Sequence, residues 1–435
     1  MTSMFRSLDG VNYRIWASGA LVSNVGTWMQ RTGQDWLVLT VLTHNNATAM
    51  GAVMALQFGP QLLLLPVTGW AADRMDRRKL LLMTQGSMGT LALGLGILTV
   101  TGVVQLWHVY AFALLLGIVA AFDAPARQTF VSDLVEGPNL SNAVALNSAS
   151  FNVARMIGPA TAGLLTAAVG AGWVFLINAA TFGAVLTSLT ALRRDQLYRI
   201  NHGRKTSGSL VSGFRYVRHR PDILVLLVMT FLIGTFGLNF SIFISTMSVS
   251  VFHKGAGEYG ILSSVMAIGS VAGALLAARR EHPRIALLFA GAAAFGVGCA
   301  VAALMPNYAL FGLVLVGIGV ISQTLTTTAN GTVQMTTAPE LRGRVMAIYM
   351  AIFMGGTPIG APIVGWVADA YGPRWALGVG AAAGFAAALV GLVYLVRFRN
   401  LRIRRNGFRA RFVLSPQEIA QEELAEVETT AIRTS

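Results

Sequence analysis

Charge and cysteine are what this sequence has least of. Only 11% of its 435 residues are Asp, Glu, Lys or Arg, against about 25% in an ordinary soluble domain. One cysteine, Cys299, excludes a disulfide framework and any Cys-rich zinc or iron–sulfur site. No Gly-x-x-x-x-Gly-Lys-Ser/Thr loop is present, so no ATPase is built in. The histidines His44, His108, His202, His219, His253 and His282 form no His-Glu-x-x-His pattern, and none falls deep in an apolar run. That argues against a metal-dependent membrane hydrolase, and neither a metal nor another cofactor is expected. The opening residues hold no short apolar run ending in a small-residue cleavage site, so no cleavable signal peptide is expected.

What fills the chain is apolar. Hydrophobic residues make up 54% and glycines number 47, and the mean hydropathy is +0.63. This composition excludes disorder, a collagen-like fibre and a nucleic-acid-binding globule, despite a net charge of +14. A hydrocarbon core takes about 20 apolar residues per helix. Twelve such runs are expected, near 14–42, 48–71, 79–102, 106–126, 140–168, 172–192, 222–251, 257–278, 284–305, 308–330, 343–369 and 374–396. The first, fifth, seventh and eleventh are overlong, as tilted or amphipathic-ended helices are. The runs are continuous rather than alternating, which excludes a membrane β-barrel. Nearly all of the 32 Lys and Arg residues fall on the side that holds both termini. Lys254 and Arg374 lie on the other side, and Arg31 and Arg155 lie inside runs. The positive-inside rule then puts both termini in the cytoplasm, and the excess positive charge suits anionic lipid headgroups. External connections are short, so no folded outer domain is expected.

The chain divides into two halves. The stretch 193–221 is arginine-rich, yet Leu210, Phe214 and Val217 share one helical face, the pattern of a short amphipathic helix at a membrane surface. It separates an N-terminal six-helix half, 1–192, from a C-terminal one, 222–396. Gly158, Gly163 and Trp173 recur as Gly360, Gly365 and Trp375, and Gly69 recurs as Gly273, favouring the duplicated halves of many secondary transporters. The tail, 397–435, is basic at first. Ser415-Pro416-Gln417-Glu418 then reads as a capping box opening a short acidic helix.

The sharpest motif lies between the second and third runs: Gly69-Trp70-Ala71-Ala72-Asp73-Arg74-Met75-Asp76-Arg77-Arg78-Lys79. Gly69 permits close helix approach, and Asp73 is a carboxylate free to pair with Arg or with a helix N-terminus. The alternative is a basic loop that sets topology only. The stretch resembles the signature loop of the major facilitator superfamily, with Asp76 where the family usually has glycine. Gly158, Pro159 and Gly163 in the fifth run resemble the superfamily's exporter packing motif, whereas generic helix packing is the plainer reading. With Asn12-Tyr13-Arg14, Pro125-Ala126-Arg127-Gln128 and Phe214-Arg215-Tyr216-Val217-Arg218, the resemblance covers most of 10–396. It points to the drug- and siderophore-exporter branch, relatives of enterobactin exporters and macrolide-efflux proteins. The resemblance implies an all-α integral membrane fold of twelve transmembrane helices in two pseudo-symmetric six-helix halves. It further implies a cytoplasmic gate of Gly69, Asp73, Arg74, Arg77, Arg78 and Arg127, and a cavity lined by the first, fourth, seventh and tenth helices.

Asp35 is the one carboxylate well inside a run, and Arg31 shares its helical face at i, i+4. Asn24, Trp28, Arg31 and Asp35 form a polar stripe. At about 1.5 Å per residue, Arg31 and Arg155 sit near mid-depth with Asp35 a turn further out. Buried charges are costly and should pair or face water. Three roles stay open: proton coupling through Asp35, recognition of an acidic substrate by an unpaired arginine, and a permanent structural ion pair. Gln323, Thr327, Asn330 and Gln334 form a second stripe, suited to substrate or to helix–helix hydrogen bonding. Phe231, Asn239 and neighbouring phenylalanines suit a bulky substrate or core packing. The expectation is a secondary transporter, not an enzyme: a monomer in the bacterial inner membrane exporting a small amphiphilic molecule (a drug, siderophore or other metabolite) against protons. Import of a small solute and a non-transporting receptor or scaffold are the alternatives.

Overall fold

A computed structural model describes residues 3–198, 210–278, 285–398, 402–406 and 409–413. The capping box at 415–418 and the acidic segment after it lie outside the described residues. Fifteen α-helices are present among them. The first half holds α1 (Val11–Trp36), α2 (Ala47–Leu63), α3 (Leu65–Arg74), α4 (Arg77–Val100), α5 (Leu106–Leu134), α6 (Leu140–Val169) and α7 (Ala171–Ala191). A short linker helix, α8 (Leu210–Arg218), precedes α9 (Pro221–Leu232), α10 (Phe240–Thr246), α11 (Ala256–Ala278), α12 (Ile285–Leu304), α13 (Tyr308–Thr336), α14 (Arg342–Tyr371) and α15 (Pro373–Phe398). Beyond them, Arg402–Asn406 and Arg409–Val413 pair as antiparallel strands, an element the arginine-rich tail did not announce.

These helices make twelve membrane-crossing rods. Helices α2 and α3 form one rod bent at Leu64, where Pro66 opens the second segment without an N–H to donate. Helices α9 and α10 form another, interrupted by a π-turn over Ile233–Gly237 and a break at Leu238 and Asn239. Among the described residues, nine rods are apolar and long enough to cross a membrane by composition. The other three are α1 with its π-turn extension Leu37–Leu42, the bent α2–α3 rod, and α6. Both α1 and α6 carry more polar residues, which lowers their hydropathy.

An even number of rods puts both chain ends on one face, here the terminal face; the opposite one is the distal face. Distal connections are tight. Gly170 (φ 90°, ψ 159°) alone separates α6 from α7, and Gly372 (φ 100°, ψ 160°) alone separates α14 from α15. Side chains with a Cβ rarely adopt such angles. The matching geometry extends the Gly158/Gly360 and Gly163/Gly365 recurrence to backbone conformation. The exits from the first and seventh rods also match: each ends in a π-turn followed by a left-handed histidine, His44 at φ 50° and His253 at φ 52°.

The two halves meet mainly along α2 against α14 and α6 against α11, through small residues that let backbones touch. A Cβ on Gly163 would stand 2.5 Å from the Ala256 carbonyl oxygen. One on Gly51 would collide with the Ala361 carbonyl, and one on Gly365 with that of Ala47. Within the second half, Gly360 lies against the Thr235 carbonyl at the interrupted rod. Gly158 lies within its own half, where a Cβ would stand 2.6 Å from Trp28 Cβ. Pro159 is accommodated inside α6, which runs on unbroken. Gly69 departs from its expected role: a Cβ there meets nothing within 4 Å. Its counterpart Gly273 is the tight one, 2.5 Å from the Val320 carbonyl oxygen.

Candidate functional site

The inter-half bonds define which side is closed. Asp369, near the distal end of α14, accepts hydrogen bonds from Ala47 N (2.7 Å), Thr48 N (2.8 Å) and Thr48 Oγ1 (2.5 Å) at the start of α2. A carboxylate of one half thus occupies a helix N-terminus of the other, where free N–H groups and the helix dipole favour negative charge. Ser245 Oγ donates to Met50 Sδ (3.4 Å), and Ala160 N donates to Ser264 Oγ (2.9 Å). Nearer the middle, Tyr259 Oη donates to Asp35 Oδ2 (3.2 Å), and Arg155 Nη2 donates to Gln323 Oε1 (3.4 Å). Among the described residues, no hydrogen bond joins the halves on the terminal side of that last contact. The halves are closed distally.

Asp35 and Arg31 share a face as their spacing predicts, but they do not pair. The buried Asp35 carboxylate is held by Tyr259 from the other half, with Ser241 beside it. Arg31 is held by rings: its Cζ lies 4.9 Å from the centroid of Trp28 and 5.4 Å from that of Phe58, within cation–π range. Trp28 packs edge-on against Phe151 at 5.7 Å, one turn from Arg155 on α6. The Nε atoms of Arg31 and Arg155 are cut off from solvent and make no hydrogen bond. Trp28 therefore carries Arg31 on its ring and touches α6 one turn from Arg155, and Gln323 faces Arg155 from α13.

Below this point α13 presents Thr327 and Asn330. Gln323 Nε2 donates to Thr327 Oγ1 (3.2 Å), and Gln334 Nε2 donates to Asn330 Oδ1 (2.9 Å). These two bonds stay within one helix, while Gln323 also accepts from Arg155 on α6, so the stripe meets a second helix at its upper end. Thr326 and Ala329, on the same helix, line a small apolar pocket with Met229, Thr230, Tyr349 and Phe353. The two expected residues of the seventh rod do not join this constellation. Phe231 is exposed and absent from the pocket wall. Asn239 is fully buried, its Nδ2 donating to the Thr235 carbonyl (2.7 Å). It satisfies a carbonyl freed where the rod breaks, as interrupted membrane helices require.

Asn24 faces a different partner. Its Oδ1 accepts from Arg127 Nη1 (2.7 Å), while Arg127 Nη2 pairs with Asp123 (2.9 Å). Asp123 also accepts from Thr84 Oγ1 (2.7 Å) and Gln85 Nε2 (2.6 Å). This buried network was not read from the sequence. The spacing i, i+4 was visible, but the fourth run was ended at 126, whereas α5 continues to Leu134. Arg127 is therefore a helical residue rather than a loop one.

The signature loop is short, with only Met75 and Asp76 between α3 and α4. Asp76 has φ −60°, not a left-handed value, and its side chain caps α4 by accepting from Lys79 N (2.9 Å). That explains an Asp where glycine is usual: it satisfies a free N–H of the first turn. Arg77 pairs with Asp133 at 2.6 Å, and Arg78 Nε donates to the Leu189 carbonyl at 2.7 Å. These bonds, like those of Arg127, stay within the first half. Arg74 is exposed at the end of α3, and the side chain of Asp73 lies outside the described residues. In the linker, Val217 is buried, Phe214 is exposed, and Ser212 accepts from Arg344 Nη1 (2.8 Å) at the start of α14. The side chain of Leu210 lies outside the described residues.

Solved transporters share this architecture. A bacterial homolog of the human lysosomal transporter Spinster, in an inward-facing and occupied conformation, superimposes with a TM-score of 0.70 over 89% of this chain and 97% of its own, at 14% identity. A POT family transporter gives 0.72 over 88% and 95%, at 12% identity. Among curated proteins, the staphyloferrin A transporter of Staphylococcus aureus is 26% identical over 359 residues, 82% of this chain and 89% of that one. The enterobactin exporter EntS of Shigella flexneri is 25% identical over 371 residues, 84% and 86% of the two chains. Fold and relatives agree on the class: a multi-pass secondary transporter of the major facilitator superfamily that moves a small molecule, and not an enzyme. The chain belongs to the transmembrane secretion effector family, whose profile matches residues 2–418.

Proposed function

We propose that this transporter is a proton-coupled exporter of a small amphiphilic molecule, working by alternating access in the bacterial inner membrane as a monomer. The terminal face is cytoplasmic, in keeping with the placement of Lys and Arg. Residues 1–192 and 222–396 are the rocking halves, 193–221 is the linker, and 397–435 is a cytoplasmic tail whose first arginines, in 397–411, suit anionic lipid at the inner membrane surface. Asp73, Arg74, Arg77, Arg78 and Arg127 at the terminal face latch it when it closes, and Gly158, Pro159 and Gly163 keep α6 packed as it moves.

The bond from Tyr259 to Asp35 is the observation that carries this reading. A carboxylate inside one half has its partner on the other half. Rocking that parts the distal side also parts the pair, so protonation of Asp35 and conformation are linked. Relatives that carry enterobactin and staphyloferrin A support an amphiphilic cargo, and polar α13 beside an apolar pocket suits both of its parts. The test is proton movement in proteoliposomes loaded with a pH-sensitive dye, on adding enterobactin or staphyloferrin A. Wild type moves protons against cargo and Asp35→Asn does not. Wild-type proton-coupled flux in Asp35→Asn makes the carboxylate structural and refutes the coupling.

A further inference from the structure

Two guanidinium groups stand at mid-depth against one carboxylate: Asp35 attracts Arg31 from one turn along α1 without pairing with it, and no carboxylate faces Arg155 among the described residues. Arg31 makes no hydrogen bond and no ion pair among the described residues; rings of Trp28 and Phe58 hold it. Arg155 has one long bond to the neutral Gln323 (3.4 Å) and an unpartnered buried Nε. The nearby carboxylates are committed elsewhere. Asp35 is tied to Tyr259, and Asp123 takes bonds from Arg127, Thr84 and Gln85. Leaving a charge without a counter-charge inside a membrane protein is expensive. Two cations on α1 and α6 against the single carboxylate Asp35 leave an excess positive charge whose complement must come from outside the chain.

The form of the site narrows the complement. Ring contacts leave the in-plane N–H donors of Arg31 free, and a guanidinium edge matches a planar, two-oxygen acceptor. Gln323 and Thr327 add neutral donors and acceptors on the opposite wall. The apolar pocket begins at Leu325, two residues further along α13 and about 3 Å along its axis. We infer that the transported molecule is an anion, whose carboxylate or similar delocalised oxyanion is bound between Arg31 and Arg155 while its apolar part extends toward the pocket beside Tyr349. This rests on the transport reading and names the charge class of its cargo. Cationic amphiphiles, the other broad class that exporters handle, are repelled by the same pair.

The test uses full-length protein in lipid nanodiscs and three matched probes: 2-naphthoate, its neutral amide 2-naphthamide, and the cation (2-naphthyl)methylammonium. Titration calorimetry is expected to show naphthoate binding about tenfold or more tighter than the amide, from loss of charge-assisted bonds, and no binding of the cation. Arg31→Gln and Arg155→Gln each remove most of that preference, and Arg31→Lys restores part of it. The charge preference of wild type needs no variant to fold. Equal binding of the amide or the cation, or binding of none of the three, overturns the inference. Failure of the transport reading looks different: anion-selective binding with no vectorial movement in proteoliposomes upholds the site and refutes transport. Transport of anionic and cationic cargo at equal rates upholds transport and refutes the site.

Discussion

Asp369 gives the most direct handle on the conformational equilibrium. Its carboxylate receives three hydrogen bonds from Ala47 and Thr48 across the distal contact, and all three must break for that side to open. A buried bond to a charged group is worth about 1.5–3 kcal/mol. Asp369 is exposed, so solvent screening reduces each to well under 1 kcal/mol, and the helix dipole adds about 0.3–1 kcal/mol. The latch as a whole is then worth about 2 kcal/mol, or roughly a thirtyfold bias toward the distally closed state. Asp369→Ala removes it. Asp369→Asn keeps an acceptor but loses the charge, and should retain about half of the bias. Spin labels at Val103→Cys and Lys254→Cys, both exposed on the distal face, report the separation of the halves by pulsed dipolar spectroscopy. Cys299 is buried, so it does not take the label. The distal-open distance should grow in the order wild type, Asp369→Asn, Asp369→Ala, with thermal stability little changed. A distance distribution in Asp369→Ala that superimposes on wild type refutes the latch.

Three further outcomes are expected. Gly360→Val drives a side chain into the Thr235 carbonyl and should lower the unfolding temperature in detergent by the equivalent of about 1–3 kcal/mol or more, whereas Gly69→Ala, with open space around it, should stay within about 0.5 kcal/mol of wild type. Arg127→Gln leaves the buried Asp123 without its charge partner and should cost about 3–5 kcal/mol; adding Asp123→Asn should recover much of it, as a double-mutant cycle on thermal unfolding would record. Tyr259→Phe removes only the hydroxyl that holds Asp35 and should alter proton-coupled flux while lowering detergent-phase stability by about 1–3 kcal/mol, the cost of a buried acceptor that loses its donor.

What the sequence disclosed follows the range of the physics involved. Apolar runs are local, so twelve rods and the linker helix were legible, as was the shared face of Arg31 and Asp35. Partners across the bundle were not. Asp35 meets Tyr259, 224 residues away, and Asp369 meets Ala47, 322 residues away; no local pattern encodes either. Glycine shows the same division. A glycine in a known motif, Gly69, stands in open space, while Gly51, which no motif marks, sits against the Ala361 carbonyl. Asn239 read as a cavity residue because its polarity is local information, whereas the broken rod it mends is a tertiary one. The Asp123–Arg127 pair escapes an apolar-run reading because the run ends at 126, whereas α5 continues through polar residues to Leu134.

The one-residue turns at Gly170 and Gly372 bear on biogenesis. A single linking residue gives the two arms of a hairpin no freedom to enter the bilayer apart, so α6 inserts with α7, and α14 with α15. The arms of the first hairpin are unequal: α7 is strongly apolar, whereas α6 brings Arg155 to mid-depth, a charge that costs about 2.5–3.5 kcal/mol at the centre of a lone helix. Inserted as a pair, α7 offsets that cost, and the arginine is delivered to its working depth before the second half has been synthesised.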